Sequence, residues 1–397
     1  MKHICIISQY FLPDINGDVI RLLNTLKVLL RKDCKITIIT AFPHYPDGNV
    51  PRKYRWKLFV KHRLRRLTII RTFIFPLPHS GFMNRFLLYS SFMLSASLCL
   101  LLSRERYDIV WAFSQKFFSF IAGIAYKLFK GCELVMDFTD VWPHGIVNVG
   151  YMRENSLLFK ATKLALKIMF TIADKVSTLT PAMQKLITTL GIPLSKTAIV
   201  PNVTKPVHVK PSKKLHPEKI VIMYSGNIGP NYDFWTLIKA AAIVKKTNEK
   251  VHFIIRGTGE LEPTLRRIVK ELDLSNVTID TKLLPRKQLF EYLAGTDYFI
   301  LPMKKHKYPD ASLPIKLLDY LAIGKPIICL AEGYLAWLIS REEIGHVIPP
   351  QDYAKLAKLL SNIKKPPKSI VRTAHGVIGK YFSFQKLEDS IVEIFGL

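Results

Sequence analysis

The chain is short of acidic side chains: among its 397 residues, 30 Asp and Glu stand against 58 Lys and Arg, a formal net charge of +28 at pH 7. The shortage is greatest in residues 48–104, which contain no acid at all. A field of this sign favours anionic ligands or surfaces and says nothing about the fold. The carboxylates that are present form no Asp-x-Asp pair and no cluster with His or Cys at ligand spacing. We therefore predict neither a metal site nor a cofactor.

Cysteines and long apolar runs are also scarce. The five cysteines are odd in number and show no Cys-x-x-Cys spacing, and at least three lie in apolar runs. We interpret them as buried thiols of a reducing compartment, which argues against a disulfide framework and a zinc site. The first apolar run, Ile4–Ile7, has only four residues and ends in Ser8 and Gln9. It therefore predicts no signal peptide.

Short apolar strands alternate with helical segments along most of the chain. Residues 2–8 and 35–40 predict buried strands on either side of a helix at 19–31, and the same order restarts at 219–225. A stretch rich in Pro and Lys separates the two series. We predict an α/β fold with an N-terminal Rossmann-like domain over residues 1–203, a linker over 204–218 and a second Rossmann-like domain over 219–381.

One stretch, residues 310–328, predicts a loop, a short helix and a buried strand. Pro314 suits the first helical position, and Gly324 suits the end of the helix. The start of such a helix attracts anions, because free N–H groups and the helix dipole point there. Lys316 lies in the first turn, where a cation is otherwise unfavourable, and Asp319 follows on the same side. The pair suits the phosphate and ribose of a nucleotide; a surface helix with a solvated Lys and Asp is the alternative.

Two segments of this stretch, Ser312-Leu-Pro-Ile-Lys316 and Asp319-Tyr-Leu-Ala-Ile-Gly-Lys-Pro-Ile-Ile328, resemble the donor-binding signature of the retaining glycosyltransferases of family 4. The resemblance is strongest to the bacterial branch that builds cell-surface polysaccharide, such as lipopolysaccharide O-antigen and capsule. That family usually carries two glutamates eight positions apart. Asp319 stands at the second of these positions and Ala311 at the first, with Asp310 beside it, so the chain departs from the family pattern at the first acid.

Other segments resemble landmarks of the same family, in the expected order. Asp140-Val-Trp-Pro143 resembles an Asp-x-Trp-Pro element, which implies that Asp140 lies near the reacting centre. Gly226-Asn-Ile-Gly229 resembles the loop that faces the donor diphosphate. The loop with Gly17 resembles the corresponding loop of the N-terminal domain, although a plain turn there is an equal alternative. His144 is either a general base or a structural residue.

The resemblance implies the GT-B fold: α/β, with two facing Rossmann-like domains, an interdomain cleft, and a last helix at 382–397 that returns to the N-terminal domain. It also implies transfer of a sugar, with retained anomeric configuration, from a nucleotide-diphosphate donor. We favour a UDP-sugar donor and a lipid-linked glycan acceptor in surface-polysaccharide biosynthesis. Two alternatives stay open: a sugar-nucleotide epimerase on a GT-B scaffold, and a non-enzymatic protein that binds membrane or nucleic acid.

Such a reaction needs stabilisation of the negative charge on the leaving diphosphate, which helix N–H groups and a lysine can supply without a metal ion. We predict Asp140 and Lys316 as catalytic residues, with Lys316 as the first candidate to neutralise the leaving group. The predicted donor-binding residues are Gly17, Asn227, Gly229, Arg256, Lys282, Asp310, Ser312, Leu313, Pro314 and Asp319.

A basic segment precedes the longest uncharged apolar stretch, residues 86–103. We interpret that stretch as a buried crossover helix rather than a membrane span, because it leads straight into a strand at 108–112. The basic segment also carries aromatic side chains, which suits an anionic membrane more than a solvated face or nucleic acid. We predict a cytoplasmic protein, peripheral on the inner face of the cell membrane, with no nucleic-acid partner. The predicted membrane contacts are Arg52, Lys53, Arg55, Trp56, Lys57, Lys61, Arg63, Arg65 and Arg66.

Overall fold

The computed structural model describes residues 1–78, 81–114, 117–140, 143–148, 152–154, 156–211, 215–305, 311 and 313–397. The chain forms two compact units. The first contains Met1–Val147, Met152–Val203 and Phe384–Leu397, and the second is built on Thr204–Ser383. Each unit has a mostly parallel sheet with helices on its faces, so the predicted α/β architecture is confirmed.

The first unit is organised around an eight-stranded sheet with the order β3-β4-β2-β1-β5-β6-β7-β8. Neighbouring strands are parallel, except that β3 and β4 form an antiparallel hairpin at the edge. The strands are β1 (Lys2–Ile7), β2 (Cys34–Ala41), β3 (Phe59–Leu64), β4 (Leu67–Thr72), β5 (Ile109–Ser114), β6 (Glu133–Phe138), β7 (Lys175–Thr178) and β8 (Thr197–Ile199). The helices are α1 (Gly17–Leu29), α2 (Phe82–Leu102), α3 (Phe118–Lys130), α4 (His144–Asn148), α5 (Leu157–Ile172), α6 (Pro181–Thr188) and, at the end of the chain, α14 (Phe384–Phe395).

Helix caps fix where helices of the first unit begin. The side chains of Asn16 and Thr180 each accept a backbone N–H three residues further on, at 3.0 and 3.1 Å, and so start α1 and α6. One face of the sheet is covered by α1 and α14. There the ring of Trp111 in β5 meets the ring of Phe395 edge to face, with centroids 4.9 Å apart. The last helix therefore packs as part of the first unit.

The hairpin of β3 and β4 is missing from the sequence predictions, which describe residues 52–66 only as a basic segment with aromatic side chains. Five of the six residues in β3 are exposed, so the strand lacks the apolar alternation that identifies a strand. Cations on such an edge oppose pairing with another chain. All nine predicted membrane-contact residues are exposed, and Lys61 and Arg63 also pair with Glu105 at 3.3 and 3.2 Å.

Helix α2 connects β4 to β5, as a crossover helix should, but only one of its sides is buried. That side packs against α3, β2 and β4 through residues such as Phe92, Ala96 and Leu100. Residues Met83–Leu102 have the length and apolarity of a membrane span, and 33% of the most apolar window is buried. The interpretation of α2 as a crossover helix is confirmed. The expectation that it is fully buried is wrong, because its other side is exposed.

The second unit is a six-stranded, fully parallel sheet with the order β11-β10-β9-β12-β13-β14. One face packs against α7 and α12, and the other packs against α10, α11 and α13. The strands are β9 (Ile220–Ser225), β10 (Val251–Arg256), β11 (Val277–Asp280), β12 (Tyr298–Pro302), β13 (Ile327–Leu330) and β14 (Gly345–Ile348). The helices are α7 (Phe234–Thr247), α8 (Glu262–Glu271), α9 (Arg286–Leu293), α10 (Lys316–Ile323), α11 (Gly333–Arg341), α12 (Tyr353–Ser361) and α13 (Ile370–Tyr381).

Residues 204–218, the predicted linker, contain no helix or strand in their described part and lie along the second unit. Val207 donates its N–H to the carbonyl of Ala322 at 2.9 Å. Val207, Val209 and Leu215 also pack against the core of that unit. Because these residues are held by the second unit, they act as part of it rather than as a free connection.

Helix α10 begins two residues later than predicted. Pro314 precedes the helix instead of opening it, and its carbonyl accepts the N–H of Leu317 at 2.9 Å. This tight turn replaces the first helical turn that Pro314 was expected to start. The predicted end is correct: Gly324 follows the helix with φ 77°, the left-handed conformation that glycine adopts without strain.

Candidate functional site

Two loops come together at the carboxyl ends of β9 and β10, two neighbouring strands of the second sheet. β9 continues into residues 226–229, and β10 continues into residues 257–259. A backbone hydrogen bond joins the loops, from the N–H of Ile228 to the carbonyl of Thr258 at 2.8 Å. At an open α/β sheet, ligands bind outside the carboxyl ends of the strands. The carboxyl ends of β9 and β10 are therefore the candidate ligand site of the second unit.

Glycine is required where the two loops touch. Gly257 has φ 135°, and a Cβ there would lie 1.9 Å from the carbonyl oxygen of Gly226. Gly259 has φ 156°, and a Cβ there would lie 2.4 Å from the carbonyl oxygen of Ile228. A larger residue at either position would push the loops apart. The sequence predictions include Gly229 but not Gly257 or Gly259, whose contribution is the close approach of one loop to the other.

Lys316 opens α10 and directs its side chain toward the loop that starts at Gly226. The residue is only 8% exposed. Its ammonium donates to the hydroxyl of Tyr224 at 2.5 Å and lies 3.7 Å from the ring centroid of Tyr232 and 4.2 Å from that of Tyr224. These are cation–π contacts. A Cβ on Gly226 would lie 2.6 Å from Nζ, so glycine at this position leaves the space to the ammonium.

The described residues around Lys316 supply no anion for its ammonium. Burial lowers the pKa of Lys316 well below its usual range. In the part of the chain that the structure describes, its partners are a hydroxyl and two aromatic rings, and no carboxylate forms an ion pair with it. A buried ammonium without a counter-ion is destabilising. A bound anion would therefore be favoured at this position.

Two tyrosines hold the loop beside Lys316. Tyr224 donates to the carbonyl of Asn227 at 2.5 Å while it accepts from the ammonium. Tyr320 accepts the N–H of Ser225 at 2.8 Å and donates to the carbonyl of the same residue at 3.2 Å. The sequence predictions missed both. The available signal was spacing, since Tyr320 follows Lys316 by four positions and so shares its side of α10.

Asp319 lies on α10 close to an arginine that the sequence predictions did not include. Its carboxylate pairs with Arg286 of α9 at 2.9 Å. Burial raises the pKa of Asp319, and the charge of Arg286 opposes that rise. The carboxylate is thus partly enclosed and oriented by one partner, an arrangement that can still accept hydrogen bonds from a diol.

Arg256 is already engaged inside the second unit. Its guanidinium pairs with Asp280 and donates to the carbonyl of Lys282, and it lies 4.9 Å from the ring centroid of Tyr292. Arg256 is buried, whereas Lys282 is exposed. Arg256 therefore ties the end of β10 to the end of β11, and it is less suited than Lys316 to receive a ligand.

The remaining predicted donor-binding residues of this unit differ in accessibility. Asn227 is exposed, Gly229 is buried, and residues 313–314 are half-buried just before α10. Asp310 and Ser312 lie outside the described residues. The structure thus brings Lys316 together with the loop of residues 226–229, which sequence alone placed in two separate motifs.

The predicted residues of the first unit follow its strands. Gly17 is the first residue of α1, and Asp140 lies two residues after β6 and is half-buried. His144 begins α4, and its ring packs edge to face on Phe159 with centroids 5.5 Å apart. Burial, followed by the charge of Lys163, lowers the pKa of His144. This packing favours the structural alternative for His144 over a general base.

A buried ion pair in the first unit is also absent from the sequence predictions. Arg21 of α1 donates to both carboxylate oxygens of Asp137 in β6, at 3.0 and 2.8 Å. It also donates to the carbonyl of Val200 and to the side chain of Asn202, at 2.9 and 3.2 Å, and Ser177 donates to Asp137 at 2.6 Å. Such a bidentate, fully partnered pair is strong and directional. We assign the ion pair a structural role, because Arg21 also holds Val200 and Asn202, just before this segment of the first unit ends at Val203.

The groups suited to hold a ligand in the second unit are donors rather than metal ligands. No three His, Cys, Asp or Glu side chains cluster at metal-binding distance within the described residues. The side chain of Lys316 suits phosphate oxygens, whereas the N–H groups of Gly226 and Ile228 in the adjoining loop already donate to the carbonyls of Arg256 and Thr258.

Comparison with known proteins finds similarity to glycosyltransferases. The profile of "Glycosyl transferases group 1" matches residues 208–374, which is most of the second unit. The amylovoran biosynthesis glycosyltransferase AmsK of Erwinia amylovora is 25% identical over 135 residues, which are 34% of this chain and 33% of AmsK. The chain thus spans one third of that relative's length. The "putative colanic acid biosynthesis glycosyl transferase WcaI" of Escherichia coli (strain K12) is 23% identical over 316 residues, 76% of each chain.

A solved structure extends the comparison to the whole fold. HepE of Anabaena in complex with UDP-glucose superposes with a TM-score of 0.67 at 14% identity, over 100% of both chains. The chain has the GT-B fold, and residues 208–374 match the group 1 glycosyltransferase family. The profile match contains the loop of residues 226–229, Lys316 and Asp319, so the candidate site lies within the part of the chain that carries the family signal.

Proposed function

We propose that this glycosyltransferase moves a sugar, with retained anomeric configuration, from a nucleotide-diphosphate donor, preferably a UDP-sugar. The observation that carries the proposal is the buried ammonium of Lys316 at the start of α10, with aromatic partners and no carboxylate partner among the described residues. A diphosphate at this position would supply the negative charge that the site lacks. The presence of UDP-glucose in the HepE structure supports this class of donor.

In the proposed mechanism, the second unit stabilises the leaving diphosphate. Lys316 and the N–H groups near the start of α10 would donate to the phosphate oxygens as negative charge develops on them. Tyr224 and Tyr232 hold the ammonium, and Tyr320 holds the adjoining loop, before any donor binds. Donors fixed in advance lower the barrier, because they do not reorganise during the reaction.

Two carboxylates complete the proposal. Asp319, oriented by Arg286 at 2.9 Å, would accept the ribose hydroxyls of the nucleotide. Asp140 of the first unit is proposed as the second catalytic residue, on the strength of the Asp-x-Trp-Pro element. We propose no metal ion for the reaction, since a lysine and a helix terminus can offset the phosphate charge.

We propose a lipid-linked glycan as the acceptor and the inner face of the cell membrane as the place of reaction. The names of AmsK and WcaI, which refer to amylovoran and colanic acid biosynthesis, support a role in polysaccharide biosynthesis. The nine exposed residues of the basic segment support contact with an anionic leaflet.

A panel of sugar nucleotides tests the proposed reaction. Each donor is incubated with the purified protein in EDTA, with and without a lipid extract, and consumption of the donor is followed together with the sugar found in the organic phase. We expect consumption of one donor and transfer of its sugar to lipid, with the anomeric configuration of the donor kept in the product. No consumption of any donor would contradict the reaction, and an inverted product would contradict retention.

A further inference from the structure

The exposed side of α2 is a continuous apolar stripe. Met83, Leu87, Leu94, Leu98 and Leu102 are between 39% and 72% exposed. Their separations of four, seven, four and four residues place them on one side of the helix, opposite the buried side. A soluble helix usually presents polar side chains on its outer side, so this stripe needs an explanation.

Helix α5 repeats the arrangement with a charged margin. Leu157, Leu164 and Ile168 are exposed, and their separations of seven and four residues place them on one side. Next to this stripe, Lys160, Lys163 and Lys167 form a row of exposed cations. Long lysine side chains can keep their charge in water while their stems lie against apolar surface. This pattern is typical of helices that lie in a membrane interface.

These helices belong to one layer. α2 packs against β2 and β4 and beside α3, which packs against β1, β5 and β6 and beside α5. The opposite face of the same sheet is covered by α1 and α14. The exposed sides of α2 and α5 therefore point away from the sheet in the same general direction, and Leu128 and Phe129 at the end of α3 add to the exposed apolar surface between them.

Charge identifies the kind of surface that this layer fits. The segments Phe82–Leu102, Phe118–Lys130 and Leu157–Ile172 contain no Asp or Glu, while each contains Lys or Arg. A face that is apolar with a purely cationic margin complements the acyl region and anionic headgroups of a lipid leaflet. It is less suited to a second copy of this strongly basic chain, because the margins would repel each other.

A hollow in the same layer adds apolar surface beneath the exposed stripe. It has a volume of about 230 Å³ and is lined by Phe117, Ala161, Thr162, Ala165, Leu166 and Met169. Five of these six side chains are apolar, so the hollow suits part of an acyl chain better than a polar ligand.

We propose that α2, α3 and α5 form a membrane-inserted face of the first unit, seated in one leaflet of an anionic bilayer. This face differs from the basic hairpin of β3 and β4, whose contact is electrostatic and is weakened by salt. Burial of apolar side chains is not screened by ions. The inference therefore distinguishes two components of membrane binding, one that salt removes and one that it leaves.

Vesicle flotation in 0.1 M and 1 M salt separates the two components. The wild-type protein is compared with Leu94→Glu/Leu98→Glu in α2 and with Leu164→Glu/Ile168→Glu in α5, on vesicles of phosphatidylcholine with phosphatidylglycerol. We expect part of the wild-type protein to stay bound to vesicles in 1 M salt. The bound fraction of each double variant in 1 M salt should be at least roughly tenfold smaller. Leu272→Glu, at an exposed leucine of the second unit, should behave as wild type.

Circular dichroism of each variant without vesicles shows that it is folded, and this control does not depend on the proposed reaction. If both double variants float with the vesicles in 1 M salt to the same extent as the wild type, the inference is overturned. A wild-type dimer that the substitutions dissociate while flotation is unchanged would also overturn it, because the face would then be a contact between copies.

A second measurement does not rely on disruptive substitutions. An environment-sensitive NBD label on Leu164→Cys is compared with the same label on Leu272→Cys when vesicles are added. We expect the emission of the α5 label to shift to the blue in 1 M salt and that of the control label to stay unchanged. Equal behaviour of the two labels would contradict insertion of α5.

Discussion

The two units of this protein differ in how much apolar surface they expose. Among the described residues, the second unit exposes six large apolar side chains, scattered over four helices or helix ends and one loop: Trp235, Ile243, Leu272, Leu283, Trp337 and Tyr353. The first unit exposes continuous apolar stripes on α2 and α5. This contrast agrees with the proposals that the second unit binds a small ligand and that the first unit contacts an extended surface.

The arrangement of the charged side chains also differs between the two units. In the second unit, Arg256 and Arg286 pair with carboxylates, and Lys316 is enclosed by aromatic rings. In the first unit, the cations at residues 52–57 are exposed on the basic segment. The formal charge of +28 thus combines two arrangements. One suits a single anion in a defined position, and the other suits a diffuse anionic surface.

The largest expected effect comes from the basic segment. Replacing Arg52, Lys53, Arg55 and Lys57 by Ala should reduce binding to anionic vesicles at low salt by roughly 1,000-fold, since each cation near such a leaflet contributes about 1 kcal/mol. UDP affinity, measured without vesicles, should not change. A loss of both properties together would contradict the separation of roles between the units.

A substitution in the second unit should have the opposite pattern of effects. Lys316→Ala should lower the rate of sugar transfer by about 100-fold or more, as the loss of one electrostatic donor to a developing charge usually does. Vesicle binding should stay at the wild-type level. Lys270→Ala, at an exposed lysine of α8, is the matched control and should retain activity. Near-normal turnover by the Lys316 variant would remove this residue from the mechanism.

The glycine at the contact between the two loops tests the packing of the site. Gly257→Ala should destabilise the second unit by about 1–3 kcal/mol through backbone strain alone, and by more if the 1.9 Å contact cannot relax. Thermal unfolding of the variant, and of its UDP complex, measures this. Gly379→Ala is the control, because α13 has open space at that position and alanine favours a helix. Equal destabilisation by the two substitutions would contradict the account.

Tyr224→Phe should have a smaller effect. It removes the hydrogen bonds that join Lys316, Tyr224 and the carbonyl of Asn227 but leaves the ring in place. One such bond contributes about 1 kcal/mol, so we expect roughly a fivefold loss of UDP affinity. Tyr353→Phe, on the exposed start of α12, should leave affinity unchanged. A loss as large as that of Lys316→Ala would mean that Tyr224 does more than position the ammonium.

The smallest effect is a dependence of stability on pH. The pKa of Lys316 is lower in the folded chain than in the unfolded chain. Between these two values the unfolded chain binds more protons, so this residue makes the free energy of unfolding rise with pH across that window. Lys316→Met should remove this contribution. Urea unfolding of both proteins at pH 7 and pH 9 measures the difference, and a difference that does not change with pH would contradict the burial of an ammonium.

The sequence was informative where chemistry and periodicity coincide. The strands of both sheets that are apolar on both faces were predicted within one or two residues, and Gly324 was predicted correctly as the end of α10. The ligand-binding role of residues 226–229 and Lys316 stays a prediction. In contrast, β3 carries charge on an edge strand, so it has no apolar period to detect. The strands that were predicted, and Gly324, were indicated by local sequence pattern alone.

Other features depend on contacts between distant residues. Tyr224 lies 92 positions from Lys316, and Arg286 lies 33 positions from Asp319, and nothing in the local pattern links either pair. The expectation that α2 is fully buried failed for a related reason. An apolar helix reads the same in sequence whether its outer side meets protein, lipid or water, and only its neighbours decide.

Calorimetric titration of UDP tests the central claim, that the buried ammonium at the start of α10, which has no carboxylate partner among the described residues, receives the donor diphosphate. The wild-type protein, Lys316→Ala and Lys270→Ala are titrated at the same pH and salt concentration. We predict that UDP binds to the wild type and to Lys270→Ala with equal affinity and that Lys316→Ala binds it at least roughly tenfold more weakly, since a charge-assisted hydrogen bond contributes about 1.5–3 kcal/mol. Equal affinities for all three proteins would contradict the claim.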